Sequence, residues 1–361
     1  MSTEDLCTAL IGLTAEELDT VARASGQQPY RGAQIAEWLY RKGTHTIEAM
    51  TNLPENLKSS IDATYRVGRS HCVVERRSKD GTVKLLLQCQ DGALVESVGL
   101  PYADRSSCCV STQVGCPIGC VFCATGLSGF TRNLTAGEIV DQVLSVQEAL
   151  NRSASEPGAM RRIDHVVFMG MGEPLLNYDA TLKAVRLLNS EMGIAMRQLT
   201  VSTVGYVPAI YRLARESLQL TLAVSLHAAT DELRRRLIPG MARWSVSDLV
   251  DACRAYVSQT GRRITFEYCL LDGINDTVAD AEALASALRG VNCHVNLIVH
   301  NPVPGLGFHA PPRRQLLAFR ARLEDAGIVV TQRLERGADI DAACGQLRRR
   351  EAPADASLLD G

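Results

Sequence analysis

From Arg105 onward, short apolar runs rich in β-branched residues alternate with longer stretches that have helical periodicity. This alternation is typical of βα units, which build a parallel sheet covered by helices. Each apolar run leads into a loop rich in Gly, Asn, His or Pro, and in parallel barrels the loops after the strands form the active site. The sequence therefore predicts a parallel, barrel-like α/β sheet with strands at residues 108–112, 165–169, 199–203, 221–226, 265–270, 295–299 and 328–333.

Residues 1–66 have a different pattern, which is typical of a small helical domain. Thr14 and Glu17 have the spacing of a capping box, which marks the start of a helix. Ile35, Trp38 and Leu39 then form an apolar stripe at helical spacing. We expect this segment to fold as a helical N-terminal domain.

Residues 67–104 consist of short alternating runs separated by turn signals. Asp80-Gly81 and Asp91-Gly92 are dipeptides that favour the tight turns of β-hairpins. We predict an antiparallel β extension here, followed by the barrel at residues 105–349. Residues 350–361 lack periodicity and are predicted to be a loose tail.

Twelve cysteines occur in the chain, and five of them crowd into residues 108–123. The first ten residues are polar and acidic, and no apolar run approaches the roughly 20 residues that span a bilayer. We therefore expect a cytoplasmic protein without a membrane segment, whose thiols are reduced and serve metal binding or catalysis. Six scattered cysteines are expected to be small core residues, namely Cys7, Cys72, Cys89, Cys253, Cys269 and Cys293.

The formal net charge of −2 gives no global sign of nucleic-acid binding. A local basic patch would be sufficient to contact phosphates, and arginines do cluster at several places, among them Arg234, Arg235 and Arg236. Taken singly, each cluster is expected to be a solvated helix face.

Cys116, Cys120 and Cys123 are separated by three and then two residues. Thiolates at this spacing can surround one compact metal centre, and they leave one coordination position open. A structural zinc site is normally closed by a fourth ligand, here Cys109 or His165, and a ferredoxin supplies four cysteines to each cluster. A [4Fe–4S] cluster with one uncapped iron fits better, because the open iron can bind a small molecule.

The run from Cys116 to Cys123 resembles the radical SAM signature, in which the open iron binds the amino and carboxylate groups of S-adenosylmethionine (SAM). Further motifs are similar to those of the RlmN/Cfr family of RNA adenosine methyltransferases, and they lie at residues 29–31, 50–53, 109–116, 129–134, 169–177, 225–227 and 339–347. This resemblance implies a partial (β/α) barrel of radical SAM type, an RNA-binding role for the N-terminal domain, and a [4Fe–4S] cluster and SAM as cofactors.

The resemblance also implies roles for individual residues. Cys116, Cys120 and Cys123 would hold the cluster, and the SAM contacts would be Gly172, Glu173, Ser202, Ser225, Leu226, His227 and Asn301. Cys344 would accept a methyl group from one SAM, and a second SAM would be cleaved to a 5′-deoxyadenosyl radical that abstracts hydrogen from that methyl group. The carbon radical would add to adenine, Cys109 would release the adduct by forming a transient disulfide with Cys344, and Glu96 would accept the proton.

Several of these residues have simpler interpretations when they are considered alone. Glu173 after two glycines is typical of a tight turn, His227 of a satisfied buried histidine, and Cys344 of inert packing. Glu96 would be an exposed strand residue opposite a hairpin partner. Either thiol of the Cys108–Cys109 pair can be the releasing group, although the family spacing favours Cys109 and leaves Cys108 to packing.

The activity implied is methylation of adenosine C2 in 23S rRNA at the peptidyl-transferase centre, with a tRNA anticodon-loop adenosine as a second candidate substrate and a low-potential electron donor as a further partner. The C–H carbons of adenine are not nucleophilic, so they cannot take a methyl group directly from SAM, and this accounts for the use of a radical. The base must also be unpaired or extruded from its stack to be reached. Three alternatives stay open: Cfr-type methylation of C8, radical SAM chemistry on a protein or small molecule, and a non-enzymatic iron–sulfur or zinc protein that binds RNA. Residues 129–134 favour the RlmN branch.

Overall fold

The structure is a computed structural model that describes residues 8–152, 161–303, 305–334 and 336–347. The strands are β1 (Thr8–Ala9), β2 (Tyr65–Arg66), β3 (His71–Arg77), β4 (Val83–Gln88), β5 (Leu94–Pro101), β6 (Ser106–Cys109), β7 (Gln113–Gly115), β8 (Phe130–Asn133), β9 (His165–Phe168), β10 (Leu199–Thr203), β11 (Thr221–Ser225), β12 (Ile264–Leu270), β13 (Cys293–Val299) and β14 (Val329–Gln332). The helices are α1 (Ala15–Ala24), α2 (Tyr30–Ala36), α3 (Glu55–Asp62), α4 (Ala124–Leu127), α5 (Ala136–Arg152), α6 (Tyr178–Ser190), α7 (Val207–Arg215), α8 (Asp231–Leu237), α9 (Val246–Thr260), α10 (Val278–Ala287) and α11 (Arg313–Asp325).

Ten of the described strands form one large sheet in the order β14-β13-β12-β11-β10-β9-β6-β5-β4-β3, and β1 with β2 and β7 with β8 form two small sheets. Strands β6 and β9 to β14 pair in parallel, and helices lie between them in the chain, so the predicted parallel α/β sheet is confirmed. Strand β6 ends at Cys109 instead of continuing to residue 112. Because the sheet has two free edges, β3 and β14, it is a partial barrel.

The N-terminal segment folds into the predicted short helices. Thr14 and Glu17 form both hydrogen bonds of the capping box at the start of α1. The apolar stripe at Ile35 and Leu39 is buried, and α2 continues into a π-helical turn at Glu37–Arg41. The parallel pairing of β1 with β2 was not predicted. The segment shares one core with the barrel, because its buried residues belong to the same apolar cluster as those of α5.

The predicted antiparallel extension is formed by β3, β4 and β5. Gly81 and Gly92 adopt the left-handed conformation in the turns, with φ of 85° and 82°. Strand β5 also pairs with β6, so the sheet runs without interruption across the expected boundary at residue 105. The division into domains stays a prediction. Cys7 and the expected tail at residues 350–361 lie outside the described residues.

None of the described helices combines the length and the apolar composition that a bilayer span requires.

A buried ion pair fastens the extension to α5. The Arg69 guanidinium contacts the Asp141 carboxylate, and both side chains are almost fully buried, at 3% and 0% exposure. Glu148 accepts a further bond from Arg69 at 2.9 Å, and the Ser70 N–H donates to Asp141 at 2.7 Å. Removing one partner would leave an uncompensated buried charge.

We therefore expect Arg69→Met to lower the free energy of unfolding by about 3–5 kcal/mol, measured by chemical denaturation. Arg152→Met is the matched control, because Arg152 pairs with Glu75 while 56% exposed. Such surface pairs contribute roughly 0–1 kcal/mol. Equal losses in the two variants would contradict this account of the pair.

Candidate active site

The three-cysteine loop begins directly after β7 and ends where α4 begins. Cys116 donates its N–H to the Gly129 carbonyl at 2.8 Å, which ties the start of the loop to β8, and Cys123 donates to the Cys120 carbonyl at 3.1 Å. Gly115 has φ of 77° and lies so close to β8 that an added Cβ would be 1.8 Å from the Gly129 oxygen. The local sequence therefore fixes a sharp bend that points three thiols toward one another.

The separation of these sulfurs argues against a single zinc ion. Zinc–sulfur bonds of about 2.3 Å in a tetrahedral site would bring the sulfurs to about 3.8 Å from one another. In the part of the chain that the structure describes, the only three such ligand atoms that all lie within 4.8 Å are from Cys89, Asp91 and Glu138. Neither Cys109 nor His165 completes a compact set with the loop cysteines. A larger centre with iron and sulfide fits this loop.

We expect Gly115→Ala to reduce the iron content per protein by at least about half, because backbone strain of about 1–3 kcal/mol is added and the new Cβ overlaps the Gly129 oxygen. Iron and sulfide assays on reconstituted protein measure the effect. Gly129→Ala is the matched control, since Gly129 has a similar φ of 70° but nothing within 4 Å of an added Cβ. A larger loss in the control would contradict the steric explanation.

Two adjacent chambers lie at the carboxyl ends of the parallel strands. The chamber that includes the three loop cysteines in its wall is here named the inner chamber. The chamber lined by β5, β6 and the segment that carries Cys344 is named the outer chamber. Both chambers share one stretch of wall, formed by Cys123, Thr125, Met169, Gly170, Ile298, Asn301, Arg333, Cys344 and Gly345.

Most of the predicted SAM contacts come together in the inner chamber, although they are far apart in the chain. They are Gly172, Glu173, Ser202, Ser225, His227 and Asn301. Leu226 does not line the chamber and is fully buried. Its N–H donates to the Glu267 carbonyl at 3.0 Å. The chamber brings together polar groups from several strand ends, which suit a nucleoside with an amino-acid tail.

Glu173 is a buried carboxylate held by the backbone. Its two oxygens accept from the N–H groups of Leu175 at 3.0 Å and Val204 at 2.8 Å. Burial outweighs these bonds and raises the pKa of Glu173 to about 7. A carboxylate in this state gains from an ammonium group placed beside it, which is the chemistry that SAM offers.

His227 is held in one tautomer. Its Nδ1 accepts from the Cys269 N–H at 3.0 Å, so the proton of the neutral ring is on Nε2. Burial, with a smaller contribution from Arg234, lowers the pKa of His227 to about 3. The residue has φ of 58°, a conformation uncommon outside glycine. His227 is therefore a neutral hydrogen-bonding group in the wall of the chamber and not a cation.

The two adjacent thiols of β6 lie on opposite faces of the strand, and only one of them lines the outer chamber. Cys109 lines the chamber with Cys344, and burial raises the pKa of its thiol to about 12. Cys108 points to the opposite face, where it is 0% exposed and lies 3.7 Å from the Ser97 hydroxyl. All described cysteines are free thiols.

Cys344 lies where the two chambers meet. Burial raises the pKa of its thiol, and the nearby Arg333 guanidinium opposes this effect. Arg333 also favours the thiolate of Cys109. No motif singles out Arg333, which is the last residue of a predicted strand. Glu267 and Cys269, also in the wall of the inner chamber, lie within another predicted strand and have no motif either.

The segment that carries Cys344 is hydrogen-bonded to α4, the helix that directly follows the cysteine loop. Ala124 donates its N–H to the Gly345 carbonyl at 2.8 Å, and the Thr125 hydroxyl donates to the Leu347 carbonyl. Asn301 donates its amide to the Cys344 carbonyl at 3.0 Å. The backbone around Cys344 is therefore held by α4 and Asn301, next to the loop that contains the three cysteines.

Glu96 does not line either chamber. It is 4% exposed, in contrast to the exposed strand glutamate that its sequence alone favours, and it pairs with Lys84 at 3.1 Å. Lys84 also donates to the Asp341 carbonyl at 3.0 Å. Glu96 thus lies under the Cys344 segment, and Lys84 links the two.

Comparison with known proteins agrees with these features. Residues 110–285 match the Radical SAM superfamily, and residues 8–67 match the Ribosomal RNA large subunit methyltransferase N-terminal domain.

Two full-length relatives are named probable dual-specificity RNA methyltransferase RlmN. The protein of Thermosynechococcus vestitus is 48% identical over 342 residues, which cover 95% of this chain and 98% of that protein. The protein of Gloeobacter violaceus is 47% identical over 351 residues, which cover 97% of this chain and 98% of that protein. The crystal structure of a radical SAM methyltransferase from Sphaerobacter thermophilus is 47% identical and has a TM-score of 0.90, covering 94% of this chain and 99% of that one.

Proposed function

The chain belongs to the RlmN family of radical SAM RNA methyltransferases, and we propose that it methylates C2 of an adenosine in 23S rRNA at the peptidyl-transferase centre. One observation carries this proposal: Cys344 lies in the wall of both chambers, and Cys109 shares the outer chamber with it. A thiol in this position can receive a group on one side and deliver it on the other.

As a member of this family, the protein uses a [4Fe–4S] cluster and SAM. When bound, these cofactors supply a methyl group and a one-electron cleavage of SAM that produces a 5′-deoxyadenosyl radical. We propose Cys116, Cys120 and Cys123 as the cluster ligands. Glu173 would hold the ammonium group of SAM, and the polar side chains at the neighbouring strand ends would hold the rest of the molecule.

The outer chamber is proposed to hold the target adenine, which must leave its base stack to enter. Cys344 would carry the methyl group that becomes bonded to adenine C2. The thiolate of Cys109 would then attack the Cys344 sulfur, so that a disulfide forms as the carbon–sulfur bond breaks. The electron pair of that bond would pass to the methylene carbon on adenine C2, which takes up a proton to become the methyl group. The positive charge of Arg333 favours the thiolate of each cysteine, because it lowers the pKa of both Cys109 and Cys344 relative to burial alone.

Glu96 is proposed as the group that accepts the proton from adenine C2. In the described conformation it is paired with Lys84 beneath the Cys344 segment. A shift of that segment on RNA binding would open a path from Glu96 to the outer chamber. Apo geometry alone does not exclude a general base, because such contacts often tighten only in the complex.

The N-terminal domain is proposed to bind RNA. Tyr30 is 57% exposed, and the Arg31 guanidinium lies 4.9 Å from its ring centre. Lys42 covers the Trp38 ring at 3.8 Å. Paired cations and aromatic rings suit unpaired nucleotides, and the domain match to rRNA methyltransferases supports an rRNA substrate.

The relatives' name, dual-specificity, supports tRNA as a second candidate. A low-potential donor is proposed as the electron source.

Nucleoside mass spectrometry of 23S rRNA and tRNA from cells that lack the gene tests the proposal. Loss of 2-methyladenosine, restored by the wild-type gene and not by Cys344→Ala, is the expected result. A change in 8-methyladenosine would show Cfr-type chemistry instead. An unchanged set of methyladenosines would refute an RNA substrate.

A further inference from the structure

Arg234 is a buried cation that the proposed reaction does not use. It lies in α8 and is 3% exposed, whereas Arg235 and Arg236 beside it are exposed. The expectation of a solvated helix face is therefore wrong for Arg234 and correct for its two neighbours. One nitrogen of its guanidinium donates to the Val204 carbonyl, and Nε is buried without a hydrogen-bond partner.

No carboxylate forms a direct ion pair with Arg234 within the described residues. Asp231, one turn earlier in α8, favours the Arg234 charge from a distance, but its carboxylate pairs with Arg235 at 3.7 Å and accepts from the Val246 N–H at 2.7 Å. A buried cation without a counter-charge in direct contact is unfavourable, so a further anionic partner is expected close to Arg234.

The position of α8 identifies that partner, because the helix packs on the cysteine loop. Val121 of the loop donates its N–H to the Leu237 carbonyl at 3.1 Å, and Gly240 donates to the Ile118 carbonyl at 3.0 Å. Burial lowers the pKa of Arg234, and a thiolate at Cys120 of this loop is the largest of the charges that oppose this effect. Arg234 does not line either chamber, so it lies beside the loop without forming part of the wall of the SAM site.

We propose that Arg234 is the fixed counter-charge of the iron–sulfur cluster and raises its reduction potential. The inference rests on the proposed cluster at Cys116, Cys120 and Cys123. Three thiolates and a [4Fe–4S]²⁺ core carry a net charge of about −1, which becomes about −2 when a low-potential donor supplies one electron. No bond forms or breaks in this step. A cation beside the cluster stabilises the more negative state, and in the low-dielectric interior its effect is large.

Arg234 thus acts through the cluster and is a positioning residue. Its bond to Val204 has a second effect, because the Val204 N–H donates to Glu173. A variant that removes the charge also disturbs this connection. A lysine variant keeps the charge and loses the guanidinium geometry, so it separates the two contributions.

Redox titration of the reconstituted holoenzyme, followed by the electron paramagnetic resonance signal of the reduced cluster, tests the inference. Arg234→Gln is expected to reduce the equilibrium constant for reduction by roughly tenfold, a shift of about 59 mV to lower potential. Arg234→Lys and the matched control Arg235→Gln are expected to stay within about twofold of wild type.

An unchanged potential in Arg234→Gln, or an equal shift in Arg235→Gln, would overturn the inference. If Arg234→Gln does not retain its cluster, Arg234→Lys decides: a wild-type potential supports the inference, and a tenfold fall refutes it. Failure of the proposed function is distinguishable, because wild-type protein would then bind no iron or form no methyladenosine whatever the variants do.

Discussion

Cys344→Ala is expected to abolish adenosine methylation, with a fall in rate of at least about 10³-fold, the scale for loss of a covalent nucleophile. The reason is geometric, because among the described residues Cys344 is the one thiol in the wall shared by both chambers that also lies outside the cysteine loop. The measurement is methyladenosine formation on an rRNA fragment, with mass spectrometry of the peptide that contains residue 344.

Cys253→Ala is the matched control for this variant. Cys253 is a 0% exposed thiol in α9 and lies in neither chamber. It is expected to retain methylation and a methylated Cys344 peptide. Methyladenosine formed at a normal rate by Cys344→Ala would remove the covalent role from this residue.

Cys109→Ala is expected to stop the reaction one step later. Product should again fall by at least about 10³-fold, but here a covalent protein–RNA adduct should accumulate, because the group that attacks the Cys344 sulfur is missing. Denaturing gel electrophoresis with labelled RNA would show the adduct. Adding Cys344→Ala to this variant should eliminate it.

The adjacent thiol provides the control for Cys109. Cys108→Ala removes a similar group from the same strand, but from the face that packs away from the outer chamber. The Cys108→Ala variant should form methyladenosine without accumulating a protein–RNA adduct. Adduct formation by Cys108→Ala, with turnover by Cys109→Ala, would reverse the assignment of the two cysteines.

The alternation of strands and helices was sufficient to predict the parallel sheet, because burial on both faces leaves a clear apolar signature in each strand. It also predicted where most of the side chains of the inner chamber come together, since parallel strands end at one edge of the sheet. For example, Ser202 and Ser225 end neighbouring strands that the sequence identified correctly.

Other features depend on contacts between distant parts of the chain. Side chains alternate along a strand, so Cys108 and Cys109 must face opposite sides, but only the register of β6 with its neighbours shows which one reaches Cys344. The burial of Arg234 likewise depends on contacts between distant parts of the chain. Three consecutive arginines look alike in the sequence, and helix rotation against the cysteine loop decides which one is enclosed.

The surroundings of Glu96 also could not be predicted from the sequence. Its spacing to Cys109 supported a role in proton transfer, but not its enclosure with Lys84 under the Cys344 segment. That arrangement depends on residues more than 200 positions apart, and no local pattern encodes it.

The strands of the large sheet lie in the same order as they are synthesised, apart from the excursion through β7 and β8. A nascent chain can therefore add each strand to the edge of the previous one as it leaves the ribosome. The stretch that contains Cys344 follows all of these strands in the chain and binds to α4, next to a cysteine loop that was synthesised long before. Metal can therefore reach the loop while the site is still open, and Cys109 and Cys344 come together only after the whole large sheet has been synthesised.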